Sequence, residues 1–393
     1  MDAYLVDARR SPIGRRNGTL SGIRADELAA QVLNGLVAPL DLDPAAVEDV
    51  QMGCVTQVGE QGWNVGRMAV LAAGWPVEVS ATTVDRQCGS SMQACFNAAA
   101  AVASGQLDLV VAAGVESMSR VPMGSNGGSI SPRVAERHEI VMQGTSAELL
   151  AREWNLTREA LDAYAFESHR RAAAAIDAGR FEREIVPIEL PDPPRTGEPG
   201  RGAARVAAPV VVAVDEAVRR DTSLEALAAL PPAFDPAGVV TAGNSSQIVD
   251  GAAAVLVASE RALRRHDLEP RARFVSFGLA GVDPTRMLHG NPRAIGNALD
   301  RAGLALDDVT VFEINEAFAS VVLQTVADLE LRERMEDVNP NGGGISLGHP
   351  LGATGARLTA SLLDELDRRR ARYGVASMCV GFGMAIAGVV ELL

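Results

Sequence analysis

Two stretches of this chain follow one plan, and that repetition narrows its possible folds more than any other feature. Each opens on a turn of small residues, CGSS from Cys88 and GHPLGATG from Gly348. Each continues into an alanine- or leucine-rich helix and then a buried apolar strand that stops at glycine, VVAAG ending at Gly114 and SMCVG ending at Gly381. Strand and helix patterns alternate around both. Apolar runs at 4–8, 47–55, 81–84 and 109–113 are separated by helical spacings such as Leu28, Val32, Leu33 and Leu36. The alternation returns with strands at 274–277, 309–314, 375–380 and 385–391 and helices at 294–301, 316–329 and 356–369. This predicts an α/β protein with a mainly parallel sheet covered on both faces, built from a duplicated unit whose two reactive turns face one another.

The halves divide as residues 1–268 and 269–393, the first interrupted by an inserted, loop-rich subdomain at 118–245. That insertion holds the loop-like SRVPMGSNGGSISPR and a long helix capped by Thr157 and stopped at Gly179. It also holds PDPPRTGEPGRGAARVAAP, expected to be a surface excursion. A buried strand at 252–258 ends it.

Composition removes several classes of function. The 393 residues are 47% hydrophobic and 22% charged, as in a globular protein, and the 4% aromatic content implies close packing of small residues. No signal peptide and no bilayer-spanning apolar run is seen, which places the expected location in the cytoplasm. Cys54, Cys88, Cys95 and Cys379 are far apart and form no C-x-x-C pair, so neither a disulfide framework nor a zinc site is indicated. The net charge of −14 argues against general nucleic-acid binding. All 36 basic residues are arginine, which excludes Schiff-base and P-loop lysine mechanisms and leaves Arg as the only permanent cation for a phosphate-bearing ligand.

Cys88 lies between an extended lead-in and a helical run, with Gly89, Ser90 and Ser91 leaving its sulfur open to approach. Unpaired N–H groups and the helix dipole favour a thiolate there. The plainer reading of such a cysteine is a small buried hydrophobe, which is how Cys54 and Cys95 are read. His349 beside glycine and proline could be a turn residue, Cys379 could be strand packing, and Asn315 could cap a helix beginning at Glu316.

Taken together, VDRQCGSSMQA around Cys88, FEINEAFAS around Asn315, NGGGISLGHPLGATGAR around His349 and SMCVGFGMA around Cys379 closely resemble the thiolase family, and the likeness covers essentially the whole chain. The resemblance implies a duplicated five-layered α-β-α-β-α fold. It also implies cleavage of 3-ketoacyl-CoA by CoA, with Cys88 carrying the acyl group, His349 activating first Cys88 and then the CoA thiol, and Cys379 working as acid and base at carbon. One oxyanion site falls to His349 with a water held by Asn315, the other to the N–H groups of Cys88 and Gly381. CoA is a substrate, and no metal or other cofactor is implied. Correspondence puts Arg219 near the adenine and its phosphates, Phe234 at the nucleotide end, Ser246 by the pantetheine amides, and Met287 and Phe318 along the acyl and pantetheine tunnel.

Family members suggest a homodimer or homotetramer. Departures occur at Asp85, Ser91, Gln247, Phe382 and Met142-Gln143-Gly144, around the acyl and CoA walls. The Met142-Gln143-Gly144 entry and VESMSRVPMGSNGG lean toward a degradative acetyl-CoA acyltransferase, whereas Ser91 and Phe382 add bulk beside the reactive turns that would narrow the site. A biosynthetic acetoacetyl-CoA thiolase is the alternative within the fold, and a non-catalytic acyl-CoA-binding homologue is the alternative of another class.

Overall fold

A computed structural model describes residues 2–190 and 210–393; the expected surface excursion at 191–209 lies outside the described residues. In the first half the strands are β1 (Ala3–Arg10), β2 (Asp49–Gly53), β3 (Ser80–Val84), β4 (Leu109–Ser117) and β5 (Val249–Ala258). The second half supplies β6 (Ala272–Gly281), β7 (Val309–Ile314), β8 (Tyr373–Val380) and β9 (Met384–Leu392). They form one hydrogen-bonded path, β7-β8-β9-β6-β1-β5-β4-β2-β3, in which the halves meet through three antiparallel pairs between β1 and β6.

The duplication is visible in the pairing. β2 lies parallel to β4, with β5 and then β1 antiparallel beyond it; β7 lies parallel to β8, with β9 and then β6 antiparallel beyond it. The expected mainly parallel sheet is therefore corrected to a mixed one. Only strands separated by a crossover helix run parallel, whereas β8 and β9 are joined by three residues and must reverse direction.

Helices make the remaining layers. α1 (Ala25–Val37) and α2 (Val65–Ala72) cover the outer face of the first half, in one apolar cluster with Val50, Val111 and Leu256. α3 (Ser90–Ala103) lies inside, and α4 (Gln143–Glu153) and α5 (Arg158–Asp177) belong to the insertion, which is thus more helical than its composition suggests. The Thr157 cap holds as expected, its Oγ1 accepting from Ala160 N at 3.2 Å. α6 (Asn291–Ala302) and α7 (Ala319–Asp328) cover the outer face of the second half and share a core with α4 and α5. α8 (Thr354–Arg369) joins α3 between the two halves, where Met92, Ala98, Leu358 and Leu362 meet strands of both. Among the described residues no helix is long and apolar enough to cross a membrane.

The central layer is tight because backbone meets backbone. A Cβ at Gly355 would lie 2.2 Å from Met92 N, and one at Gly114 would lie 2.2 Å from Gly352 O. No rotamer change relieves a clash with main chain, so Gly355→Ala should destabilise by about 1–3 kcal/mol or more, although alanine is the better helix former. Gly296 gives the control, since nothing stands within 4 Å of its absent Cβ inside α6. Gly296→Ala should stabilise by about 0.5–1 kcal/mol. Chemical denaturation of both variants checks the contrast, and equal effects of one sign would contradict it.

Candidate active site

The Cys88 turn is fixed before any substrate arrives. Gln87 N donates to Asp85 Oδ1 at 2.6 Å, and Ser90 Oγ accepts from Arg86 N at 3.0 Å while donating to Gln87 O at 2.5 Å. These bonds hold Gln87 in a left-handed conformation, φ 46°. Cys88 stands just before Gly89, the N-cap of α3, as the sequence suggests. Its half-buried sulfur accepts hydrogen bonds from its own N–H and from that of Gly381. The expected resting thiolate is nevertheless corrected. Burial outweighs those donors, and with Glu116 and Asp85 nearby the thiol is pushed up to about 11.

His349 occupies the matching turn before α8, and the two turns are pressed together. Leu351 packs with Val55 and Met118 against Cys88, and Ala356 N donates to Ser91 Oγ at 3.0 Å. Ser91 is thereby turned into the helix junction and away from any substrate wall. Thr354 Oγ1 donates to Pro350 O at 2.8 Å, so toward His349 Nδ1, 2.5 Å away, it acts as acceptor. The hydrogen therefore resides on Nδ1, and Nε2 keeps a lone pair that accepts from Asn315 Nδ2 at 3.2 Å. Burial first, and then the Arg357 charge, lower His349 to about 3. It is a neutral base.

Asn315 does not cap a helix. α7 begins only at Ala319, with Phe318 at its N-cap, because Glu316 is drawn inward. Its carboxylate accepts from Tyr164 Oη at 2.8 Å, Ser168 Oγ at 2.7 Å, Ile345 N at 3.0 Å and Asn339 Nδ2 at 3.2 Å. That holds the preceding residue extended, with Asn315 N donating to Ser377 O at 2.8 Å. Cys379 lies near the end of β8, and burial followed by its neighbour Cys88 raises its thiol pKa, keeping it protonated. Cys95 is buried in the central layer and Cys54 under the outer helices, consistent with packing.

Arg219 borders a cavity of about 200 Å³ together with His169, Thr222, Leu227, Gln247 and Ile345. Arg219 N donates to His169 Nδ1 at 3.1 Å, and burial, with the Arg219 charge second, lowers His169 to about 4. Gln247 spans from this cavity to the base. Its Nε2 shares its two hydrogens among Ala217 O, Ile345 O and Ser346 O, and its backbone carbonyl accepts from His349 N at 3.2 Å. Ser246 N donates to Ala317 O at 2.9 Å, which sets it beside Phe318. Phe234 meets the Phe318 ring edge-on at 5.8 Å, and Met287 shares a buried cluster with Phe318. Among the described residues no group of three His, Cys, Asp or Glu could hold a metal ion.

Sequence reasoning missed Thr354, Glu116, Glu316 and His169. The only signal for Glu116 was a lone charge in an apolar strand, and for Glu316 its place beside Asn315.

Comparison with known proteins identifies the family to which this fold belongs. The thiolase N-terminal domain matches residues 3–261 and the thiolase C-terminal domain residues 268–392. The chain is 44% identical to the steroid 3-ketoacyl-CoA thiolase FadA6 of Mycobacterium tuberculosis, covering 100% of this chain and 94% of that protein. It is 43% identical to a beta-ketoadipyl-CoA thiolase of Acinetobacter baylyi, covering 99% of each. Among solved structures, the acetyl-CoA acetyltransferase of Bacillus anthracis superposes with a TM-score of 0.89 at 39% identity, over 100% of this chain and 99% of that one. Human mitochondrial 3-ketoacyl-CoA thiolase in complex with CoA superposes with a TM-score of 0.88 at 35% identity, over 100% and 98%. With both halves matched and relatives aligned end to end, the chain belongs to the thiolase family.

Proposed function

We propose that this chain is an acetyl-CoA acyltransferase of the degradative type, catalysing reversible CoA-dependent thiolysis of 3-ketoacyl-CoA to acyl-CoA and acetyl-CoA. One observation carries the reading. A neutral Cys88 thiol with N–H donors of two residues at its sulfur lies near the protonated Cys379 thiol, and the turn of the neutral His349 imidazole packs against Cys88 through Leu351.

The chemistry follows from those protonation states. His349 Nε2 takes the Cys88 proton as the sulfur attacks the 3-keto carbon, whose oxygen collects its charge at the N–H groups of Cys88 and Gly381. The C2–C3 bond then breaks with its electrons moving to C2. The newly protonated Nε2–H stands ready for the thioester oxygen of the enolate, and the Cys379 thiol delivers its proton to C2. His349 returns its proton to the Cys379 thiolate and, neutral again, takes one from the incoming CoA thiol. CoA sulfur attacks the acyl group, and departing Cys88 recovers the proton from His349.

A homo-oligomer is supported by the outer edge of β3, which no strand pairs among the described residues, and by Trp63, which is 94% exposed in a left-handed turn beside it. Names among the relatives range from steroid and beta-ketoadipyl substrates to acetyl-CoA, so relatedness alone leaves the acyl group open. The Met142-Gln143-Gly144 segment and VESMSRVPMGSNGG, which looks most like thiolases acting on longer or cyclic acyl groups, favour bulk. Ser91, facing the helix junction, does not narrow the site.

Rapid quench and mass spectrometry should place the acyl group on Cys88; a label on Cys95 or Cys54 instead would refute the assignment. A thiol pushed up to about 11 is protonated at neutral pH, so alkylation of Cys88 in the free enzyme should accelerate roughly a hundredfold from pH 7 to pH 9. A plateau below pH 7 would mean a resting thiolate. Cys379→Ser should retain acyl exchange between Cys88 and CoA while thiolysis drops by ~10²–10⁴ in single-turnover assays. Equal losses in a folded variant would remove Cys379 as a dedicated acid and base. Finally, kcat/KM should be at least roughly tenfold higher for a medium or bulky 3-ketoacyl-CoA than for acetoacetyl-CoA. A steady decline with each added carbon would promote the biosynthetic alternative.

A further inference from the structure

The three-residue turn between β8 and β9 carries a residue that neither packing nor backbone preference accounts for. Phe382 sits at φ 68°, a left-handed conformation that an aromatic residue rarely adopts, and 54% of it is exposed. Among the described residues its ring joins no apolar cluster and pairs with no other ring. Its position is nonetheless closely fixed. Val380 pairs with Met384 across the turn, and Val282 N donates to Gly383 O at 2.8 Å. Gly383 follows at φ 81°, where a Cβ would meet Val282 O at 2.6 Å. The turn cannot shift to relieve Phe382 without loosening Gly381, whose N–H bonds the Cys88 sulfur.

Strain held in place by its surroundings, on an exposed apolar side chain beside reacting atoms, points to contact with a ligand. A second left-handed residue, Gln87, directly precedes Cys88, and its side chain lies 3.6 Å from where a Gly381 Cβ would be. The two left-handed residues thus bracket the paired N–H donors. An acyl group bonded to Cys88 with its oxygen at those donors is one residue removed from each of them in the chain. Adjacent Cα atoms are about 3.8 Å apart, so the Phe382 ring is within a side chain's reach of the acyl substituent.

We propose that Phe382 is a specificity residue whose ring forms an apolar wall for the acyl substituent of the 3-ketoacyl-CoA. This rests on the thiolase reading of the site and adds to it the residue that selects the acyl group. A methyl substituent is too short to cover the ring, whereas several methylenes or an alicyclic group lie across it. The ring rewards bulk.

The test compares the enzyme with Phe382→Leu and Phe382→Gly in thiolysis of acetoacetyl-CoA and 3-ketooctanoyl-CoA. The longer-to-shorter ratio of kcat/KM should fall at least roughly tenfold in Phe382→Gly, and Phe382→Leu should restore most of it. Phe382→Gly should also unfold at no lower temperature than the parent, because glycine suits the left-handed turn and no packing is lost. An unchanged ratio in both variants overturns the proposal, as does a parallel loss on both substrates with unfolding several degrees lower, the mark of a packing residue. A parent enzyme inactive on every 3-ketoacyl-CoA overturns the thiolase reading and this inference together. An active parent whose ratio ignores position 382 overturns only the inference.

Discussion

Glu116 is the interaction on which the rest of the centre depends. It lies in β4, fully buried, and its carboxylate accepts from Val55 N at 2.9 Å, Thr56 N at 3.0 Å, Gln61 Nε2 at 2.9 Å and Gly352 N at 2.9 Å. A buried carboxylate is strongly unfavourable unless donors surround it, and here four do. Burial still raises its pKa against their pull. The donors come from the loop after β2 and from the His349 turn, so a single side chain fixes one half of the duplicated unit to the other. Val55 packs against Cys88, and Gly352 is three residues beyond His349. Loss of the carboxylate would free the nucleophile's pocket and the base's turn at once.

Glu316 does the corresponding work on the far side. Its four donors tie the Asn315 segment to α5 through Tyr164 and Ser168 and to the glycine-rich loop through Ile345. α5 also carries His169, which borders the cavity with Arg219. The insertion, the Asn315 amide and the His349 loop are therefore positioned by one carboxylate. Neither Glu116 nor Glu316 is placed where it could act on substrate, yet each fixes a group that is.

Burial dominates the titration of Cys88, Cys379 and His349, and its direction differs between them. It raises the two thiols and lowers the imidazole, so all three are neutral at rest. Charge separation is then expensive until substrate supplies an oxyanion for the N–H donors of Cys88 and Gly381. A site built this way withholds its nucleophile from solvent oxidants and adventitious electrophiles, and deploys it when an acyl carbonyl completes the hydrogen bonding. A position just before a helix argues for a thiolate only where water still reaches the sulfur. In this centre burial outweighs the N–H groups of Cys88 and Gly381 that favour the thiolate.

That contrast explains what was legible in the sequence. Cys88, His349 and Cys379 stood out through the family resemblance of their motifs, and the strands around them because apolar runs of that length have few other uses. Asn315 was found, but its alternative role as a cap failed because capping depends on where the helix starts. Glu316, turned inward by partners from three distant segments, moved that start to Ala319. Ser91 and Phe382 looked alike on paper, each adding bulk beside a reactive turn. Folding separates them completely: Ser91 is wholly buried with its hydroxyl accepting from Ala356 N, while Phe382 is exposed at φ 68° beside the Gly381 donor. A side chain's reach is a local property that sequence carries. Its direction is set by backbone dihedrals and by neighbours hundreds of residues away, and for a residue lining a site direction decides whether added bulk narrows the pocket, builds its wall or never meets the substrate.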